Sequence, residues 1–165
     1  MAKLKKLLEI GSSPHVTDGA STDDIMRNGF FALLPVTVFA VYAFGTGAFL
    51  VIAVATASCV LTEHWLCRWT GQASTVGDWS IAITGLLYGL TLPPDLPLWM
   101  VFVGGVFGVG IGKFLFGGLG MNAFNPALVG RAFLQAAFPQ AMTHWSVPFA
   151  EGRFEHIPSS VIALP

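Results

Sequence analysis

A glycine-rich break in an apolar run constrains the fold of this chain more than any other feature. Eight glycines fall within residues 104–120, and Asn122 and Asn125 follow them three residues apart. Irregular backbone at membrane depth is tolerated only where it is packed inside protein or lines a cavity. The segment therefore predicts the wall of a site inside a membrane protein.

Composition independently indicates a membrane protein. Apolar residues make up 54% of the chain and charged residues 10%, against about 25% charged residues in a typical soluble domain. The formal net charge of −1 gives no reason to expect a nucleic-acid partner. Cys59 and Cys67 lie in or beside an apolar span at a spacing that fits no standard metal motif, so no metal site is predicted.

The apolar runs predict an all-α integral membrane protein with about five transmembrane or re-entrant helices. The expected spans are residues 25–44, 47–66, the run between Asp78 and Pro93, 97–116 and 125–138. The third run is about fourteen residues long, whereas crossing the bilayer takes roughly twenty. It is therefore either a tilted span or a re-entrant half-helix. Residues 1–24 are expected to form a cytoplasmic leader, 25–138 the membrane bundle and 139–165 an extracytoplasmic segment.

The basic residues predict the orientation of the bundle. Lys and Arg occur before the first span, after the second and near the end of the fourth, but the connections 45–47 and 93–97 contain neither. The positive-inside rule then places the N-terminus in the cytoplasm. An odd number of spans is typical of one half of an inverted repeat. The chain, which stops in the apolar run 162–165, is expected to be the N-terminal part of a longer protein.

The glycine spacing in the fourth span predicts close helix packing. Gly104, Gly108 and Gly112 recur every four residues, the pattern that lets two membrane helices approach backbone to backbone. A phosphate-binding loop is excluded because Gly112-Lys113 is followed by Phe114, where that motif requires Ser or Thr.

Two cations flank the glycine-rich segment, and each has more than one interpretation. A charged side chain at the bilayer centre costs about 2.5–3.5 kcal/mol on insertion scales. For Lys113, snorkelling to the cytoplasmic interface is favoured over a functional role. Arg131 has two interpretations: it is either an interfacial anchor or a contact with a ligand or another subunit.

Asn125 also has two interpretations. Asn at the N-cap followed by Pro126 at the first helical position is a favoured way to begin a helix, and this alone accounts for the pair. The functional interpretation rests on the residues before the cap. Glycines let a flat ligand approach the backbone, a helix N-terminus offers free N–H groups, and the Asn122 amide pairs a donor with an acceptor suited to the edge of a flavin or a similar polar ring. The candidate cofactor-binding residues are Asn122, Asn125, Gly117, Gly118, Gly120, Arg131 and Thr84.

Three groups of motifs together resemble one known family. They are Ser12-Ser13-Pro14-His15; Asp78-Trp79-Ser80 with Thr84-Gly85-Leu86-Leu87, Leu92-Pro93-Pro94 and Pro97-Leu98-Trp99; and the stretch from Gly112 through Gly117-Gly118-Leu119-Gly120 to Asn125-Pro126-Ala127. Their order and spacing resemble the D subunit of the Rnf ion-translocating electron-transport complex, a homologue of the B subunit of the sodium-pumping NADH:quinone oxidoreductase.

The resemblance implies an inner-membrane flavoprotein of ten helices in two inverted halves, on a scaffold shared with urea transporters. It implies electron transfer between ferredoxin and NAD through flavin and iron–sulphur subunits, coupled to Na⁺ or H⁺ movement. It also implies an FMN bonded to a threonine, a riboflavin in several members, and flavin-proximal positions at Asn122 and Asn125. The flavinylated threonine lies in a Ser-Gly-Ala-Thr motif that this chain lacks, so covalent FMN is expected outside it.

A channel without redox function is the alternative. Asn-Pro-Ala is also the signature of water and glycerol channels, but that fold needs two copies and this chain has one, at residues 125–127.

Overall fold

A computed structural model describes residues 21–71, 77, 79–116, 122–155 and 157–158. Every regular element within these ranges is helical. In chain order they are α1 (Thr22–Phe44), α2 (Thr46–Thr70), α3 (Ser80–Leu90), α4 (Leu98–Val109), a π-helical turn (Gly110–Phe114), α5 (Pro126–Ala137) and the short α6 (Pro139–Thr143). The predicted all-helical class is confirmed for these ranges. Residues 1–20 of the leader and the candidates Gly117, Gly118 and Gly120 lie outside the described residues.

Helix α1 begins at Thr22, three residues before the predicted start of the first span. The hydroxyl oxygen of Ser21 accepts a hydrogen bond from the backbone N–H of Asp24 at 3.2 Å, and the Asp24 carboxylate accepts one from the Ser21 backbone at 3.3 Å. This reciprocal pair is a capping box, which satisfies two backbone donors at the helix start. The chain reverses at Gly45, whose φ of 77° is in the left-handed half of backbone space and favours glycine.

Only α1 and α2, among the helices described, are long and apolar enough to cross a bilayer. They have 23 and 25 residues, which correspond to about 35 Å of helix. The 11 residues of α3 cover only about half of the roughly 30 Å hydrocarbon core. The length of α3 therefore favours a re-entrant half-helix over a full span.

Helix α1 carries an apolar surface that the described chain covers only in part. The side chains of Val38, Phe39 and Tyr42 are each more than half exposed. A solvated helix would cost free energy in proportion to that apolar area, whereas lipid accepts it. The surface of α1 thus fits a membrane protein.

Helix α2 lies at the centre of the bundle, between α3 and α4. Gly89 of α3 is so close to α2 that an added Cβ atom would lie 2.8 Å from the Cα of Ile52. The core residues that fill these contacts are almost fully buried: Val51, Ala55, Ile81, Tyr88, Val101 and Leu134.

Helices α4 and α5 run antiparallel with their backbones in contact. A Cβ atom added to Gly108 would lie 2.7 Å from the carbonyl oxygen of Pro126, and one added to Gly112 would lie 2.8 Å from the Pro126 Cα. Farther along, Gly130 meets Gly104. The packing predicted from the four-residue glycine spacing is confirmed, and it seats the first turn of α5 against the π-helical turn.

Candidate functional site

The π-helical turn at the end of α4 begins the candidate site. Its defining hydrogen bond runs from the backbone N–H of Leu115 to the carbonyl oxygen of Gly110, at 3.0 Å. Such turns shift the register of the residues that follow and occur frequently at functional sites. The turn therefore sets the direction in which the chain leaves α4 at Leu115 and Phe116.

Asn125 caps helix α5. Its side-chain oxygen accepts a hydrogen bond from the backbone N–H of Ala127 at 3.0 Å, and Pro126 occupies the first helical position. The structural interpretation of this pair is confirmed. The cap engages the oxygen of the amide and leaves its NH₂ group able to donate to another acceptor.

Asn122 presents a buried acceptor. Its Oδ1 atom is inaccessible to solvent and has no hydrogen-bond partner in the described part of the chain, the one side-chain atom there of which this is true. Leaving a buried acceptor unsatisfied costs about 1–3 kcal/mol, and most such atoms in native proteins are paired. The geometry thus fits a donor that is supplied by a bound group.

Arg131 and Thr84 engage the protein itself. The Arg131 guanidinium donates to the carbonyl oxygen of Thr91 at 2.7 Å, which joins α5 to the end of α3. The Thr84 hydroxyl donates to the carbonyl oxygen of Ser80, one turn back in the same helix, at 2.9 Å. Arg131 follows Asn125 by six residues on α5, whereas the contact described for Thr84 stays within α3.

The Lys113 ammonium is buried inside the protein instead of extending into solvent, and the snorkelling prediction is wrong. Its ammonium donates to both carboxylate oxygens of Glu63, at 2.8 and 2.9 Å, and to the Ser80 hydroxyl at 2.8 Å. Glu63 and Lys113 are each 3% exposed and Ser80 is 5% exposed. A charge buried this deeply is stable only when it is paired and hydrogen-bonded, and here all three donors of the ammonium have an acceptor.

The sequence interpretation missed Glu63 altogether. An acidic residue inside an apolar span is rare and marks a functional position by default, so its place within the second predicted span was the available signal. The partner was harder to find, because Lys113 is fifty residues away.

Comparison with known proteins identifies relatives over nearly the whole chain. A family model described as the NQR2, RnfD, RnfE family matches residues 9–161. The D subunit of the proton-translocating ferredoxin:NAD(+) oxidoreductase complex of Clostridium ljungdahlii is 42% identical over 152 residues, 92% of this chain and 46% of the relative. The D subunit of the Na(+)-translocating ferredoxin:NAD(+) oxidoreductase complex of Acetobacterium woodii is 44% identical over 136 residues, 82% of this chain and 43% of the relative.

A third relative has a broader name. The D subunit of the ion-translocating oxidoreductase complex of Yersinia enterocolitica is 39% identical over 143 residues, which are 86% of this chain and 41% of the relative. The chain thus spans less than half the length of these curated relatives.

Proposed function

Because the chain belongs to the NQR2, RnfD, RnfE family, we propose that it works within a membrane subunit that relays electrons through a flavin in an ion-translocating oxidoreductase. Relatives carry names that specify ferredoxin:NAD(+) oxidoreductase activity with proton or Na⁺ translocation. The same reaction class, with other membrane and flavin or iron–sulphur subunits as partners, is our proposal for this protein. The location proposed is a prokaryotic inner membrane with the N-terminus in the cytoplasm, in a urea-transporter-like inverted repeat.

The buried Oδ1 of Asn122 is the observation that carries the flavin proposal. A flavin ring presents an N–H donor between two carbonyl acceptors along its pyrimidine edge, and the Asn122 amide can accept from the donor and give its own NH₂ to a carbonyl. When bound, the flavin would supply the electron carrier, because chemistry of this kind is generally carried by cofactors. Asn122 and the NH₂ group of Asn125 would hold and orient the ring.

The proposed flavin at this site is held without a covalent bond. The Ser-Gly-Ala-Thr motif is absent from the chain, so a threonine-linked FMN has no attachment point of that kind in it. Riboflavin, or another flavin bound through its ring, is the cofactor that these residues suit. The glycines at positions 117, 118 and 120 would allow the ring to approach the backbone closely.

Replacing Asn122 with leucine should remove most of the non-covalent flavin. The purified complex should be yellow, and acid extraction should release flavin that chromatography can quantify per subunit. Loss of a single well-placed hydrogen bond weakens binding by about tenfold, so Asn122→Leu should lower retention by about that factor while the subunit still assembles. A colourless complex, or unchanged flavin in the Asn122→Leu variant, would contradict the proposal.

Two variants at Asn125 separate helix capping from ligand binding. Asn125→Ser keeps an oxygen that can cap α5 but lacks the NH₂ group, whereas Asn125→Ala lacks both. Loss of a cap costs about 1 kcal/mol, so only Asn125→Ala should lower the melting temperature of the subunit. Reduced flavin retention in both variants would support a binding role for the NH₂ group, and wild-type retention in Asn125→Ser would assign Asn125 to capping alone.

The channel alternative rests on a single Asn-Pro-Ala sequence. The capping geometry of Asn125 accounts for that motif without a pore, and the named relatives are oxidoreductase subunits. The family membership therefore favours the electron-transfer function.

A further inference from the structure

The buried ion pair ties three separate helical elements together at one level of the bundle. Glu63 belongs to α2, Ser80 is the first residue of α3, and Lys113 lies in the π-helical turn that follows α4. The ammonium has one acceptor for each of its three N–H groups, and its position is fixed by two groups, the Glu63 carboxylate and the Ser80 hydroxyl. The π-helical turn is thereby held against α2 and α3.

The amide-bearing residues 122–125 meet that turn through Pro126, which directly follows the capping residue Asn125. Gly112, the neighbour of Lys113, packs on Pro126, leaving no room for even one more carbon atom between them. Any shift of the turn would therefore move Pro126 and, with it, the residues 122–125 that carry both amides.

Stability alone does not account for a charged pair at this place. Taking two ions out of water carries a large desolvation penalty, and replacing a buried ion pair by apolar residues of similar volume is often neutral or stabilising. A charged network does, however, favour one arrangement over others, as buried polar groups that fix register demonstrate in coiled coils. The pair can therefore fix the position of the π-helical turn, even though it adds little stability.

We propose that Glu63 and Lys113 are positioning residues for the amide site. By fixing the π-helical turn, they place the Asn122 acceptor where it can meet the edge of the flavin, so this inference rests on the proposed function. Neither residue has to touch the cofactor. Their effect on the cofactor passes through the turn and the first residues of α5.

Two double variants of the subunit, purified within its complex, test this inference. Glu63→Leu with Lys113→Met replaces the ion pair by apolar side chains of similar size. Glu63→Lys with Lys113→Glu reverses the pair and keeps it, and the Ser80 hydroxyl can donate to a carboxylate as well as accept from an ammonium. Arg27→Met is the matched control, because it removes a cation from an exposed ion pair with Asp24.

Flavin retained per subunit and hydrogen exchange of the peptide 110–116 are the two measurements. The apolar pair should assemble, lose flavin by about tenfold, as for one misplaced hydrogen bond, and exchange faster in the π-helical turn. The reversed pair should regain most of the flavin and the slow exchange. Arg27→Met should match the wild type in both measurements.

The outcomes separate this inference from the proposed function. Wild-type flavin retention in the apolar pair, alongside loss of flavin in Asn122→Leu, would overturn the positioning role and leave the flavin site intact. A wild-type complex without flavin would overturn both. If the apolar pair fails to assemble, the reversed pair decides: retained flavin and slow exchange support the inference, and loss of flavin from an assembled complex contradicts it.

Discussion

Lys113→Met alone is expected to destabilise the subunit by about 3–5 kcal/mol, the usual effect of removing one partner of a buried ion pair. The substitution takes away the cation that both carboxylate oxygens of Glu63 face at 2.8 and 2.9 Å. The carboxylate stays buried, at 3% exposure, where an ionised group without its cation is strongly disfavoured. Unfolding of the purified subunit in detergent, followed by heat or denaturant, measures the loss.

Adding Glu63→Leu to Lys113→Met should restore most of that stability. The double variant has no buried charge at this place, and apolar replacements of buried pairs are often neutral. Arg27→Met, at an ion pair whose side chains are about half exposed, should cost far less than Lys113→Met, because exposed ion pairs contribute little to stability. If Lys113→Met were as mild as Arg27→Met, the burial of the pair described here would be wrong.

The contrast between the single and double variants bears on why the chain retains the pair. Two charges inside an apolar bundle add little to stability, yet they require each other. A random substitution at either position therefore tends to be costly, while the arrangement of α2, α3 and the π-helical turn around the pair stays specific. A costly single variant and a mild double variant would be the behaviour expected of residues whose contribution is geometric, in keeping with the proposed positioning role of Glu63 and Lys113.

Local features of the fold were predictable from the sequence because they depend on neighbouring residues. The cap at Ser21 and the cap at Asn125 each follow from side chains within three positions of the helix start. The packing of Gly108 and Gly112 follows from their spacing on one helix. The long apolar runs likewise predicted where the helices lie, although the observed helix ends differ from the predicted ones by a few residues, which is common for helix ends.

Contacts between distant segments were not predictable in the same way. The partner of Lys113 depends on how α2 and α4 are aligned, and no local pattern encodes that alignment. Lys113 stands near the end of an apolar run, which made the interface look accessible to it, but the π-helical turn directs it to Glu63. The hydrogen bond from Arg131 to the carbonyl oxygen of Thr91 was not predictable for the same reason, because it joins residues forty positions apart.

The sequence also could not predict that the buried Asn122 oxygen has no hydrogen-bond partner in the described part of the chain. An amide beside a helix start predicts a capping or binding role, but whether its oxygen is buried and unpaired depends on the packing around it. The buried oxygen, and not the motif alone, is the reason that Asn122 is a candidate binding residue. It also explains why Asn122, rather than the capping residue Asn125, carries the flavin proposal.

Gly108→Ala is expected to weaken the α4–α5 contact that supports the site, by about 1–3 kcal/mol as for overpacking in a core. Its added methyl group would lie 2.7 Å from the carbonyl oxygen of Pro126 and 3.1 Å from the Cα of Gly130. These are backbone atoms, so no side-chain rotation relieves the clash, and the helices must separate. The melting temperature of the subunit should fall, and flavin retention should fall with it because Pro126 adjoins Asn125.

Gly110→Ala provides the matched control for Gly108→Ala, because it makes the same chemical change two residues away. A Cβ atom added to Gly110 meets nothing within 4 Å, and its backbone is right-handed helical. Alanine is favoured over glycine in a helix by about 0.5–1 kcal/mol, so Gly110→Ala should be neutral or slightly stabilising. Equal destabilisation by both substitutions would show that the contact with α5 does not determine the effect of Gly108→Ala.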